Sequence, residues 1–169
     1  MELIKKQMEE LLKRLENVRN SGVILNAYGN SEAEDEYILS DIYEFFVEHF
    51  EDTDIEWIKA YIQIFSWQFQ SFHEGVITYY TNLYEYTDYE TIMKTSSYLK
   101  NHGFYEILDI YSLPAHDYSI YERESEIPES WIDKIDQVDN WIDSHEEIVF
   151  NCLCDLCFMN KEEIFACER

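Results

Sequence analysis

Residues 1–20 read MELIKKQMEELLKRLENVRN, and within them Ile4, Met8, Leu11, Leu12, Leu15 and Val18 recur at steps of one, three or four. That recurrence is the apolar stripe of an amphipathic helix, and Asn20-Ser21-Gly22 supplies its stop. The same period returns along most of the chain. With only 4 Gly and 2 Pro in 169 residues, turn-rich β architectures lack their usual punctuation. The expected fold class is therefore all-α: a single compact domain of six to eight helices. Residues 1–20 form an N-terminal amphipathic helix packed on an acidic all-α domain over 31–169.

Working outward, Ser31 followed by Glu34 has the pattern of a capping box, which predicts a helix from there to about Phe50. Its inward stripe would be Tyr37, Ile38, Ile42, Phe45, Phe46 and His49 or Phe50. Asp54 can cap a third, nearly buried helix with Trp57 or Ile58, Tyr61, Ile62, Phe65 and Phe69 as core positions. Gly75 interrupts it, and Val76 to Asn82 continues as a short bent helix or turn. Thr87 or Asp88 restarts a helix with a stripe of Tyr89, Ile92, Met93, Ser96 and Leu99, stopped by Asn101-His102-Gly103. A shorter helix, Phe104 through Tyr111, ends at Pro114. Residues 115–127 show no period and read as a surface loop. Pro128 suits the first turn of a helix striped by Trp131, Ile135, Val138 and Ile142, with Asp133, Asp136, Asp139 or Asn140, and Asp143 outward. A break near Ser144 would precede an apolar helix over Ile148 to Leu156, and Asn160 with Glu163 repeats the capping pattern for a short last helix.

The charge is the unusual feature. Asp and Glu number 36 against 12 Lys and Arg, a formal net charge of −24. Such a chain argues against direct binding to nucleic acid or an anionic membrane, both of which rely on a positive patch. Five of the 12 bases lie in the opening helix, and between Arg19 and Lys59 there is none. Aromatic residues make up 17%, enough to build a core beneath so many acids. No run approaches a membrane span and the opening lacks the apolar stretch of a signal peptide, so a cytoplasmic protein is expected.

Most catalytic constellations fail on spacing. No His follows a Glu at the interval a di-iron bundle needs, and His73-Glu74 and His145-Glu146 begin a zinc-protease motif without its second His. Four Gly do not readily build a phosphate cradle. Cys152, Cys154, Cys157 and Cys167 could be read as a four-thiolate metal site, but residues two apart on a helix diverge by about 200°. Buried, reduced thiols are the better reading, and no cofactor or metal is expected. Tyr79, Tyr80, Tyr84, Tyr86 and Tyr89 read first as core aromatics, with a ligand groove beside His73 and Glu74 as the rival.

The acids carry the functional signal. Asp41, Glu44, Glu48, Glu51 and Asp52 repeat at helical spacing, as do Asp133, Asp136 and Asp143, while Glu122, Glu124 and Glu126 crowd the expected loop. Carboxylates three or four residues apart rise by about 5 to 6 Å along a helix, and several such faces can imitate the charged edge of a duplex. The expected partner is a basic protein, either a DNA-binding protein or a nuclease. The alternatives are an immunity or inhibitor protein against a basic toxin, and a small-ligand binder or enzyme with a cleft near His73. Whether the opening helix packs on the body or mediates a homodimer stays open.

From about residue 61 to 165 the chain also resembles the bacterial DNA-mimic-protein family, whose central pattern is roughly E-x-x-N-G-G-F-x-Q-[FY]-F-x-N. Residues 70–82, QSFHEGVITYYTN, keep Gly75, the aromatic pair Tyr79 and Tyr80, and the closing Asn82, and depart at Gln70, His73, Glu74, Val76 and Thr78. The helix end and apolar restart over Leu99 to Leu108 are similar too, as is, more loosely, the later helix pair from Trp131 to Phe158. The resemblance implies an all-helical fold and, for the family's characterised type, a surface that imitates DNA and occupies a DNA-binding protein. No motif residue carries that activity over, because it resides in the distribution of charge.

Overall fold

The structure, a computed structural model, describes residues 2–86, 89–117, 127 and 129–166. Among them the fold is all-α: α1 (Glu2–Ser21), α2 (Ile38–Phe50), α3 (Glu56–His73), α4 (Val76–Tyr86), α5 (Tyr89–Asn101), α6 (Tyr105–Tyr111), a 3-10 turn (Leu113–Asp117), α7 (Glu129–Ser144) and α8 (Glu146–Ala166). Contacts gather in two compact units, Met1–Phe65 with Glu146–Arg169, and Ser66–His145.

In the first unit, α1 buries Met8, Leu11, Leu12, Leu15 and Val18, the stripe expected from its sequence. It packs against α2 and α8. Arg19 donates to Asp155 at 2.7 Å and lies over the Phe158 ring. Phe46 of α2 meets Trp57 and Tyr61 of α3 edge-on, and the Tyr61 hydroxyl donates to the Leu39 carbonyl at 2.9 Å. α8 is apolar on most sides, so Cys152, Cys154 and Cys157 are all buried and free although their spacing spreads them round the helix.

The capping box at Ser31 does not start a helix. The Asn26 and Asn30 side chains instead accept the Tyr28 and Glu32 N–H groups, folding the segment into successive turns. Gly29 sits at φ +83, and a Cβ there would lie 2.3 Å from the Glu36 carbonyl oxygen. α2 therefore begins at Ile38, and Tyr37, expected inside, is 55% exposed. Ahead of α3 it is Thr53, not Asp54, whose side chain accepts the Ile55 N–H. At the far end α8 runs unbroken through Asn160, whose amide donates to the Leu156 carbonyl at 2.8 Å, so no separate last helix forms.

In the second unit, a hydrogen-bonded aromatic core joins α3, α4 and α6. The Trp67 indole donates to the Tyr80 hydroxyl, which donates to the Tyr111 carbonyl, and the Tyr79 and Tyr111 hydroxyls lie 2.7 Å apart. α7 covers this core with Trp131, Ile135, Val138 and Ile142. α4 is a true helix, eleven residues long, where a bent piece or turn was equally expected. α5 ends as expected, with Gly103 at φ +82 and Phe104 donating to the Leu99 carbonyl, but its buried face is Ile92, Thr95, Tyr98 and Leu99. Tyr89 and Met93, expected inside, are exposed. Ala115 to Asp117, expected in a loop, belong to the 3-10 turn. The rest of that stretch through Glu126, Thr87, Asp88, Pro128 and Cys167 lie outside the described residues.

Candidate functional site: the acidic faces

The apolar stripe of α2 fixes which of its acids face water. Because Ile42, Phe45 and Phe46 turn inward, Glu44 and Glu48 must turn outward, and Glu51 and Asp52 continue the face beyond the helix end. All four are exposed. α7 repeats the pattern, with Asp133, Asp136 and Asp143 exposed opposite its buried stripe. Arg14, Arg19, Lys59 and Lys94 form ion pairs with acids other than these seven, while the His49 ring lies 3.8 Å from Glu48. Glu122, Glu124 and Glu126, expected to extend the surface, lie outside the described residues.

Asp41 behaves differently from its neighbours. Arg14 reaches from α1 and forks onto Asp35, through Nε to Oδ2 at 2.5 Å and Nη2 to Oδ1 at 2.8 Å, while Nη2 also donates to Asp41. The hydrogen bonds to Asp35, more than those to Asp41, push the Arg14 pKa up despite partial burial. Asp41 is thus matched by a cation 27 residues away, which no reading of α2 alone reveals. Asp139, expected on the outer face of α7, also turns inward. It accepts from Ser71 Oγ at 2.5 Å and from the Val76 N–H at 2.9 Å, capping α4 from a distance.

Between α1 and α2 runs a groove of about 340 Å³. One wall carries Glu10, Leu11 and Arg14, and the other Glu44, Phe45 and Glu48. Glu10 is a residue that sequence reasoning missed, because α1 stands out there as the basic segment. The signal available was its register, since Gln7, Glu10, Leu11 and Arg14 share one helix edge.

Among the described side chains of the rival cleft none converges on His73 and Glu74, and those of Tyr84 and Tyr86 lie outside the described residues. His73 and Glu74 stand in the open, 3.8 Å apart and each more than half exposed, whereas Tyr79 and Tyr80 are buried with their hydroxyls turned to Tyr111. Burial pushes the pKa of both tyrosines well up. His102 stacks on Tyr98 and His145 on Trp141. Burial likewise raises the thiols of Cys152, Cys154 and Cys157, which makes them poor nucleophiles and poor metal ligands.

Compared with protein-family models, curated proteins and solved structures, the chain matches none. No helix among the described residues is long and apolar enough to cross a membrane.

Proposed function

We propose that this protein is a non-enzymatic acidic interaction protein that occupies the phosphate-binding surface of a DNA-binding protein, presenting carboxylates where phosphates would sit. The observation that carries the proposal is the exposed row of Glu44 and Glu48 on α2 with Glu51 and Asp52 just beyond its end. On α2 the four-residue step from Glu44 to Glu48 rises by about 6 Å, the reach over which Arg and Lys side chains of a partner can each find one carboxylate. Solubility asks for a net charge of magnitude about 2 to 8 in a small domain. A charge of −24 goes far past that and works against compactness, so the excess is better explained as a recognition surface. The resemblance of residues 61–165 to DNA-mimic proteins supports the same reading.

Mimicry acts by competition. The carboxylates steer the partner in, engage its phosphate-binding cations, and lose affinity as salt screens them. Affinity capture from a cell lysate at low salt, with stepwise salt elution and a duplex-DNA competitor, tests this. Release of one or a few DNA-binding proteins by both salt and DNA is the expected result. Captured proteins indifferent to both would sink the proposal, and release of a nuclease or toxin would redirect it to the inhibitor reading.

A further inference from the structure

The groove between α1 and α2 takes in part of the acidic surface, and its make-up is specific. Its floor is apolar: Leu11 and Phe45 are 9% and 7% exposed. Its rims carry carboxylates from both helices, Glu10 beside Gln7 on one side and Glu44 and Glu48 on the other, where His49 lies 3.8 Å from Glu48. A floor of that kind takes the methylene stem of a long basic side chain, and rims of that kind take its charged head. We infer that this groove is the seat for an arginine side chain of the basic partner, an inference that rests on the function proposed above.

Three observations select this occupant. An anion would meet carboxylates from both walls. A metal ion wants its ligands around a point, and here no three acidic or histidine side chains converge closely enough to hold one. The carboxylates do not ring a point: Glu10 stands alone on the α1 rim, while Asp41, Glu44 and Glu48 are strung along about two turns of α2, which fits an elongated cation. At one end of the groove the chain's own Arg14 already does what the partner's arginine would do, forking onto a carboxylate of the neighbouring segment and bridging to one on α2. Arg14 also cancels Asp41 and ties α1 to α2, so the remaining charge lies toward Glu10, Glu44 and Glu48 on walls held in place before binding. A planar guanidinium can fork onto a rim carboxylate as Arg14 does, which an ammonium does less well.

The test uses a terminally blocked tetra-arginine peptide, titrated at low salt into the whole protein and followed by calorimetry and backbone amide shifts. Two triple variants remove equal charge: E10Q/E44Q/E48Q in the groove, and D133N/D136N/D143N on α7. Circular dichroism checks that both keep wild-type helicity, as substitutions at exposed positions should. The groove variant should weaken binding about tenfold or more, the α7 variant less than about threefold, with shifts centred on α1 and α2. The tetra-lysine peptide should bind the wild type several-fold less tightly, and the uncharged citrulline peptide should lose binding. Equal losses in the two variants would overturn the groove and leave the acidic-surface proposal standing. Equal binding of the arginine and citrulline peptides by the wild type would remove both.

Discussion

Asp139 occupies the same helix edge as Asp136 and Asp143, yet its carboxylate holds the first turn of α4 by accepting from Ser71 and from the Val76 N–H. Removing an acceptor for a partly buried backbone donor leaves that donor unsatisfied. D139A should lower the stability of the second unit by about 1 to 3 kcal/mol, whereas D136A, which removes only an exposed charge, should stay within about 0.5 kcal/mol of wild type. Urea unfolding of the two variants side by side checks this, and equal stabilities would show that the bonds to Asp139 contribute nothing. Arg14 makes the complementary point about the surface. An acid's place on a helical wheel says which way it points, but its charge as seen by a partner depends on what reaches it from elsewhere in the chain.

At the scale of the element, α1 and α7 were legible because each keeps one apolar stripe over about three turns, and nothing else competes for those residues. The start of α2 was not. Ser31 and Glu34 have the spacing of a capping box, but two Asx turns and the close approach at Gly29 hold that segment in turns. α5 was read correctly at Ile92 and Leu99 but not at Tyr89 and Met93, which are apolar by type but exposed, while Thr95 and Tyr98 are buried. Tyr79 and Tyr80 of α4 lie in the core as expected, and their bonds to Tyr111 of α6 yield an alkaline prediction. Burial raises Tyr79 and Tyr80 well above the ordinary 10.0 and Tyr111 to about 12. A phenol whose pKa is raised by folding contributes stability in full below the unfolded value, and that contribution is lost as pH rises through the folded one. Stability of the second unit should therefore fall from about pH 10 upward, and phenolate absorbance from these three tyrosines should appear together with loss of helicity. Full tyrosine ionisation with helicity intact would mean the hydroxyls are open to solvent.

For the molecule as a whole, the charge excess belongs to both units: by sequence the first has 21 acids against 8 Lys and Arg, and the second 15 against 4. That much of the candidate site was legible from composition and spacing, since like charges at helical intervals opposite an apolar stripe must face water. The groove was not, because it needs the register of α1 against α2 across the connection between them. Excess like charge has a sign that separates it from ordinary ion pairing. Raising salt from ~0.01 M to ~1 M shortens the screening length from about 30 to about 3 Å, relieving repulsion within each unit. The urea midpoint should rise over that range while affinity for a basic partner falls. A midpoint that drops with salt would mean that pairs such as Arg14 with Asp35 and Asp41 outweigh the repulsion.

The three thiols of α8 give the first unit a clock of its own. Cys152, Cys154 and Cys157 are sealed from solvent and held protonated, so an alkylating reagent reaches them only while that unit is open. In a C167S background their labelling should be slow in low urea and quicken with the population of the open form. A partner seated between α1 and α2 would slow it further, so a chemical stopwatch started by a thiol reagent would report binding by a partner that never touches the thiols.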